Sequence, residues 1–237
     1  MTRRLLVIGA HSADFVWRAG GAIAVTTAAG GTAHVLALTY GERGESGELW
    51  KEPGMTVERV KEVRRGEAER AAAALGATFD CLDLGDYPLE VDKAGLESIA
   101  EHIRELEPDL VLTHTDRDPF NPDHAAAFLA VERARALSAG AGTASAFKTI
   151  EPPELLLFEP HQPELCNFTP TTFLDITPVI EKKREAMAEM KAQAHLHEYY
   201  GQLAERRGNH ARRSSGNEEI RYAEAFQRLT PQVVSAL

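Results

Sequence analysis

Short apolar runs alternate with longer helical segments along most of this 237-residue chain. The first run, residues 5–10, is continuously apolar and ends in a polar turn, which is typical of a strand buried on both faces. An Ala- and Gly-rich segment over 15–29 then predicts a helix that packs closely on the sheet. Strands separated by helices in this way favour βαβ units. We therefore predict an α/β fold, with a Rossmann-like, mostly parallel sheet covered by helices on both faces, in a single domain over 1–237.

Apolar periodicity and the Gly and Pro residues at segment ends predict the element boundaries. Residues 41–54 hold four Gly, four Glu and one Pro, and loops of this length in compact domains are usually functional or disordered. Near the C-terminus we predict a long helix over 178–204 with Pro in its first turn, a basic loop over 206–217 and a closing helix over 218–229. The other predicted strands are 33–40, 79–84, 109–113, 154–158 and 173–176, and the other helices are 56–75, 92–106 and 124–138.

Composition argues against several classes of protein. The formal net charge of −10 does not favour a general nucleic-acid or anionic-membrane binder. No apolar run approaches the roughly 18 residues of a membrane span, and the first run is too short for a signal peptide, so we expect a cytoplasmic protein. Cys81 and Cys166 are too few for a disulfide framework. An acidic chain still binds a small anion where arginines converge, and the sequence leaves a homo-oligomer open.

Two polar turns follow buried strands and carry candidate metal ligands. His11 and Asp14 come directly after the first strand, and His124 follows the strand predicted over 109–113. Open α/β sheets place their sites at the carboxyl ends of strands, so neighbouring strands would bring both turns into one crevice. Two imidazoles and one carboxylate suit an open Zn²⁺ site and tolerate Fe²⁺ or Mn²⁺. Alternatively, His124 simply begins a helix, beside a carboxylate that compensates the helix dipole.

The chain resembles the LmbE/PIG-L family of zinc-dependent N-acetylglucosaminyl deacetylase-like proteins. The family's first motif, Ala-His-Pro-Asp-Asp-Glu, stands here as AHSADF over 10–15, and its second, His-Pro-Asp-His, stands as NPDH over 121–124. Weaker similarities in other short stretches extend the resemblance over nearly the whole chain. The resemblance implies an LmbE-like fold in which His11, Asp14 and His124 bind zinc.

Two positions depart from the family motifs. The family's deacetylases use the Asp before the metal-binding Asp as general base, and Ala13 occupies that position here. The first His of the second motif is here Asn121, which donates a hydrogen bond but does not shuttle a proton, and which we expect to contact substrate. General acid–base catalysis contributes roughly 10²- to 10⁴-fold in rate. The chain is therefore expected to be a poor amide hydrolase.

Other residues near predicted strand ends offer different chemistry. In the 41–54 loop, Glu48 is a candidate catalytic residue and Arg43 a candidate carboxylate ligand, and His161 follows the strand at 154–158. Glu48 is equally compatible with a solvated loop acid, and His161 with a surface residue in a Pro-rich turn. Arginine suits bidentate carboxylate binding, although a cluster of arginines also suits a helix C-terminus. The further candidate arginines are Arg207, Arg212 and Arg213.

The stretches 10–24 and 41–50 resemble the LmbE-type hydratases of gallate and protocatechuate catabolism. That resemblance implies zinc-assisted addition of water to a C=C bond of 4-oxalomesaconate, or its tautomer 4-carboxy-2-hydroxymuconate, to give 4-carboxy-4-hydroxy-2-oxoadipate. Glu48 and His161 are then the predicted acid–base pair, and the arginines would bind a small anionic tricarboxylate. A zinc-dependent N-acetyl-sugar or amide deacetylase with another base, and a non-catalytic metal- or ligand-binding protein, are the alternatives.

Overall fold

The computed structural model describes residues 3–233, which form one seven-stranded sheet between two helical layers. Strands β1 to β7 are Arg4–Gly9, Thr32–Ala37, Thr78–Cys81, Leu110–Thr113, Glu154–Phe158, Thr172–Asp175 and Ala223–Arg228. Helices α1 to α6 are Asp14–Ala28, Val57–Ala74, Lys93–Leu106, Pro122–Ala139, Ile180–Glu189 and His197–Ser215. The strand order is β3-β2-β1-β4-β5-β7-β6, in which β1 to β5 are parallel and β7 is antiparallel to both neighbours. The predicted mostly parallel α/β fold is confirmed.

The core lies on both faces of the central strand β1, as its continuous apolar sequence predicts. Leu5 and Val7 pack into the layer that contains α1, α2, α5 and α6. Leu6 and Ile8 pack into the opposite layer, which contains α3 and α4. Among the described residues, no helix combines the length and the apolar character needed to cross a bilayer.

The order of strands creates a crevice beside β1. The chain places β2 and β3 on one side of β1 and β4 and β5 on the other. Such a switch point leaves space outside the carboxyl ends of the central strands. Helix α1 begins at Asp14 soon after β1, and α4 begins at Pro122 after β4. The N-termini of these two helices therefore flank the crevice.

The predicted continuous helix over 178–204 is wrong. The structure has α5, then a 3-10 segment over Lys191–Leu196, and then α6. Within that segment Gln193 has non-helical backbone angles, φ −128° and ψ 31°. Its buried side chain hydrogen-bonds with groups from three other parts of the chain. These long-range bonds outweigh the local helix propensity.

The predicted basic loop over 206–217 is also wrong, because most of these residues belong to α6. Gly208 suggested a loop, but its role is to permit close packing. A Cβ atom there would lie 2.0 Å from the carbonyl oxygen of Arg221. The glycine therefore allows the segment before β7 to lie against the helix.

The predicted closing helix over 218–229 is replaced by the strand β7. Ala223 to Phe226 is an Ala- and Glu-containing stretch that favours helix locally. In the structure β7 instead pairs with β5 and β6 and fills the space between them. Pairing and burial decide strand formation more than intrinsic preference does.

Candidate metal centre and active-site cavity

The two polar turns meet at the carboxyl ends of β1 and β4, which are hydrogen-bonded neighbours. In the first turn, the main-chain N–H of His11 donates to Asp14 Oδ2 at 2.8 Å. Asp14 is the first residue of α1, where a carboxylate is favoured by the helix dipole. His124 lies in the first turn of α4. The structure thus brings His11, Asp14 and His124 together.

The triad of His11, Asp14 and His124 has the donor set of a metal site. One ligand atom from each residue lies within 4.8 Å of the others, and all three residues are buried. Asp14 Oδ2 is 3.5 Å from His11 Nδ1, and Asp14 Oδ1 is 3.7 Å from His124 Nε2. Both of these imidazole nitrogens are buried without a hydrogen-bond partner. Buried polar atoms are rarely left unsatisfied, so the arrangement fits a bound cation.

In each imidazole of the triad, the ring nitrogen that faces away from the other ligand atoms contacts a carboxylate. His124 Nδ1 is 2.8 Å from Asp118 Oδ2, and His11 Nε2 is 3.3 Å from Asp123 Oδ2. Such contacts fix the ring orientation and leave the opposite nitrogen free for a metal. Main-chain N–H groups of Tyr87 and Leu89 donate to the Asp123 carboxylate and hold it in place.

The electrostatic environment differs at the two imidazoles. Burial would lower the pKa of His11, but hydrogen bonds and charges from Asp123, Asp14 and Glu45 raise it to about 10. Burial holds the pKa of His124 well below its ordinary value, which favours the neutral form that a metal ligand requires. The surrounding carboxylates therefore favour a positive charge at His11, and a bound metal cation would satisfy the same preference as a proton.

A cavity of about 320 Å³ opens beside the triad. Its volume is at the lower end of the roughly 300–1,000 Å³ typical of small-molecule sites. Two aromatic side chains in its lining, Tyr87 and Phe120, are exposed. Its polar lining, beyond the metal triad, includes Arg18, Glu45, Asn121, His161, Gln193 and Tyr200.

Glu45 is the glutamate that the 41–54 loop directs into this cavity. Asn121 Nδ2 donates to Glu45 Oε1 at 2.7 Å, and Gln193 Nε2 donates to Glu45 Oε2 at 2.8 Å. Glu45 Oε1 also lies 3.9 Å from His11 Nδ1. A carboxylate is thus fixed next to the triad, and Asn121 also lines the cavity.

Two predicted residues of the same loop do not line the cavity. The Glu48 side chain is 56% exposed and pairs with Lys51 at 2.6 Å, which favours the alternative of a solvated loop acid. The Arg43 side chain is 52% exposed, and its guanidinium donates to the main-chain oxygen of Asp86 at 3.0 Å. The structure therefore does not support the catalytic assignment of Glu48 or the substrate-binding assignment of Arg43.

The three predicted arginines of α6 also lie elsewhere. Arg207 is buried and makes a two-point ion pair with Glu159. Arg212 donates to Asn209 on the same helix, and Arg213 is exposed. Because the segment is helical, its arginines do not converge as the predicted loop would have allowed.

Arg18, rather than Arg43 or the arginines of α6, places a positive charge in the cavity lining. Its side chain is buried, and its Nε atom lacks a hydrogen-bond partner and lies 3.6 Å from Asp14 Oδ1. Its Nη1 atom donates to the main-chain oxygen of Glu159 at 3.0 Å. Sequence analysis missed Arg18, although a signal exists. It stands four residues after Asp14 and thus on the same face of an otherwise largely apolar helix.

His161 follows β5 and lines the cavity, although the residue as a whole is exposed. Its Nε2 atom is 3.0 Å from the hydroxyl oxygen of Tyr200, and its ring contacts the ring of Tyr199. Desolvation of the imidazole, followed by the positive charge of Arg18, lowers its pKa to about 4. The imidazole is therefore neutral near pH 7.

Comparisons with known proteins find relatives over almost the full length of the chain. The family model described as GlcNAc-PI de-N-acetylase (PIG-L) matches residues 6–135. A 4-oxalmesaconate hydratase from Pseudomonas putida is 46% identical over 235 residues, which cover 98% of this chain and 91% of that protein. The crystal structure of GalB, the 4-carboxy-2-hydroxymuconate hydratase from Pseudomonas putida, matches with a TM-score of 0.96 and 45% identity over 99% of both chains.

A more distant structure shares the fold alone. It is an N,N'-diacetylchitobiose deacetylase from Pyrococcus horikoshii, 20% identical, with a TM-score of 0.78 over 95% of this chain and 83% of that chain.

Proposed function

The chain belongs to the GlcNAc-PI de-N-acetylase (PIG-L) family, and we propose that within this family it is a metal-dependent hydratase. Its reaction adds water across a C=C bond of 4-oxalomesaconate, or of the tautomer 4-carboxy-2-hydroxymuconate, to give 4-carboxy-4-hydroxy-2-oxoadipate. The likeness to the Pseudomonas putida hydratase over 98% of the chain supports this substrate class. The substrate is a small acid with three carboxylates.

One observation carries the choice of hydratase over deacetylase: an alanine stands beside an intact His-Asp-His group. Ala13 occupies the position of the general base in the family's deacetylases, and it is 2% exposed within the apolar core. Asn121 stands where the second motif has a histidine. The metal ligands are kept while both proton-handling groups of amide hydrolysis are absent.

Zinc is the metal that we assign to His11, Asp14 and His124, because two imidazoles and one carboxylate match its preferred ligands. When bound there, it would act as a Lewis acid that stabilises negative charge on the substrate's oxygen atoms. Asp118 and Asp123 hold the two imidazoles in the orientation that this role requires.

We assign the base to Glu45. Both of its carboxylate oxygens are held by amide N–H groups, so the side chain is fixed at the cavity wall next to the triad. A carboxylate in that place accepts a proton from water as the water oxygen bonds to the alkene carbon.

His161, with Tyr200, delivers a proton to the receiving carbon, and the pair regains a proton from solvent as Glu45 releases the one that it took from water. The neutral imidazole and the tyrosine hydroxyl are in hydrogen-bond contact at 3.0 Å and both line the cavity. Together with the base, this pair completes the addition: a hydroxyl group on one carbon and a hydrogen on the other.

Arg18 holds one substrate carboxylate. Its buried guanidinium lines the cavity, and a pair of a guanidinium and a carboxylate forms strong, oriented hydrogen bonds. It replaces the arginines that the sequence had suggested for this task.

Two of the four glutamates in the 41–54 loop, Glu45 and Glu48, provide the test. With the zinc-loaded enzyme, turnover is followed as loss of the conjugated-diene absorbance of the tricarboxylate. Glu45→Gln should lower kcat by about 10²- to 10⁴-fold, the usual contribution of a general base. Glu48→Gln is the matched control and should stay within about twofold of the parent enzyme.

Three results would contradict the proposal. They are no turnover of fresh tricarboxylate by the zinc-loaded protein, a Glu45→Gln enzyme that is as fast as the parent, or release of acetate from N-acetylglucosamine derivatives as the faster reaction.

A further inference from the structure

The amide group of Gln193 connects the candidate base to the helical layer of the protein. Gln193 is 4% exposed and lies in the 3-10 segment between α5 and α6. Its Nε2 atom donates to Glu45 Oε2 at 2.8 Å. The residue contributes one of the two amide donors that hold the Glu45 carboxylate.

The orientation of this amide is set by two donors on its other side. Trp17 Nε1 donates to Gln193 Oε1 at 3.1 Å, and Arg64 Nη2 donates to the same oxygen at 3.2 Å. Indole and guanidinium groups have no acceptor. The amide oxygen must therefore face them, and the NH₂ group must face Glu45.

Helix α2 also fixes the backbone at this point. Arg64 is fully buried and donates from Nη1 to Glu67 Oε2 at 3.0 Å. The other oxygen of Glu67 accepts from the main-chain N–H of Ala192 at 2.9 Å. One buried ion pair thus anchors both the segment that carries Gln193 and the Gln193 side chain.

We propose that Gln193, oriented by Trp17 and Arg64, is a positioning residue that fixes Glu45 in the geometry needed to accept a proton from water. The inference rests on the proposed role of Glu45 and extends it to a residue that does not itself exchange a proton. Partners that orient metal ligands commonly contribute about 10- to 100-fold to metal affinity or activity, and we expect a similar range for a partner that orients the base.

A double-mutant cycle tests this assignment, because it isolates the coupling between two side chains. Gln193→Leu should lower kcat about 10- to 100-fold, with KM within about threefold and zinc content unchanged. In a Glu45→Ala background, the same substitution should cost less than about twofold. Gln202→Leu, on the exposed face of α6, is the control for a surface glutamine.

The outcomes separate this inference from the proposed function. If Glu45→Ala has a strongly reduced kcat while Gln193→Leu keeps the parent kcat, the base assignment stands and the positioning role is rejected. An equal loss in both backgrounds also rejects it, because Gln193 would then act on something other than Glu45. If Glu45→Ala keeps the parent rate, the base assignment itself fails and Gln193 has nothing to position.

Discussion

At the scale of single residues, the binding of an anion in the cavity should depend strongly on Arg18. Among the described residues that line the cavity it is the one arginine, and no lysine accompanies it, whereas three carboxylates line the same space: Asp14, Glu45 and Asp118. A tricarboxylate would therefore enter a cavity in which the proposed metal and one guanidinium are the cationic groups. The affinity for substrate should depend on both.

We expect Arg18→Met to raise KM for the tricarboxylate about 10- to 100-fold with a smaller change in kcat. A hydrogen bond to a charged group contributes about 1.5–3 kcal/mol, and about 1.4 kcal/mol corresponds to tenfold in affinity. Steady-state kinetics at matched zinc content measure the effect. Arg43→Met serves as control, since Arg43 lies on the surface beside Asp86, and an equal rise in KM there would contradict the assignment.

The pH behaviour of His161 provides a second residue-level prediction. Its pKa is about 4 in the folded protein, against an ordinary value of 6.5, because of desolvation and the charge of Arg18. Between these values the unfolded chain binds a proton that the folded chain does not, so this residue lowers stability as pH falls through that window. Proton NMR of the His161 ring should show a midpoint near pH 4, and Arg18→Met should move it upward. A midpoint near 6.5 in the parent protein would contradict the prediction.

The residues of the proposed metal triad were predictable from sequence, whereas the proposed base was not. His11, Asp14 and His124 each follow a buried strand. The carboxyl ends of adjacent parallel strands lie at the same edge of the sheet, so residues that follow them are close together. Glu45 and Glu48 belong to the same loop and carry the same chemistry. Which of them faces the cavity depends on long-range bonds, such as those from the main-chain N–H groups of Arg43 and Gly44 to the Asp86 carboxylate. Local sequence does not encode these contacts.

At the scale of elements, helix α1 is held against the C-terminal half of the chain by a buried ion pair. Lys183 of α5 and Glu224 of β7 lie 2.6 Å apart and are almost fully buried. Glu224 accepts from the main-chain N–H groups of Gly21 and Ala22, and Lys183 donates to the main-chain oxygen of Trp17. Because α1 also carries Asp14 and Arg18, this contact helps to set the position of the active site.

Two adjacent glycines in α1 should respond in opposite ways to substitution by alanine. A Cβ at Gly21 would lie 2.6 Å from Ile176 Cγ2 and 2.9 Å from the Glu224 carboxylate, whereas a Cβ at Gly20 would lie 3.5 Å from its nearest neighbour, in Lys183. Overpacking typically costs about 1–3 kcal/mol, so Gly21→Ala should reduce the free energy of unfolding. Gly20→Ala should gain up to about 1 kcal/mol from helix propensity.

Denaturant unfolding of both variants measures this contrast. Equal stability of the Gly20→Ala and Gly21→Ala proteins would mean that α1 does not approach Glu224 as closely as the structure indicates.

The elements of the N-terminal part were predicted well because each has its own local signal. Strands β1, β4 and β5 are short apolar runs, and Thr56 and Asp92 accept hydrogen bonds at the starts of α2 and α3 as capping residues do. The C-terminal elements lack such local signals and depend on contacts with distant parts of the chain. Strand β7 exists because β5 and β6 pair with it, and the break between α5 and α6 exists because Gln193 bonds to distant groups. In both cases tertiary contacts override the local propensity of the sequence.

At the scale of the whole molecule, the candidate metal centre joins parts of the fold that are far apart in sequence. His11 and His124 are separated by more than a hundred residues, yet both lie at the junction of β1 and β4. The site is formed only when the sheet is assembled, so metal binding should be linked to global folding. The carboxylates around the triad would repel one another more strongly without a cation.

Removal of the metal should therefore lower the melting temperature of the whole protein. A ligand at about 100 times its Kd stabilises the folded state by about 2.7 kcal/mol, and in a chain of this size each kcal/mol corresponds to about 2–4 °C. We expect zinc to raise Tm of the chelator-treated protein by about 5–10 °C in differential scanning calorimetry. His124→Ala should abolish the response, whereas His102→Ala, at a part-buried histidine of α3 outside the site, should preserve it. A zinc response that survives His124→Ala would place the binding elsewhere on the molecule and would remove the metal from the proposed reaction.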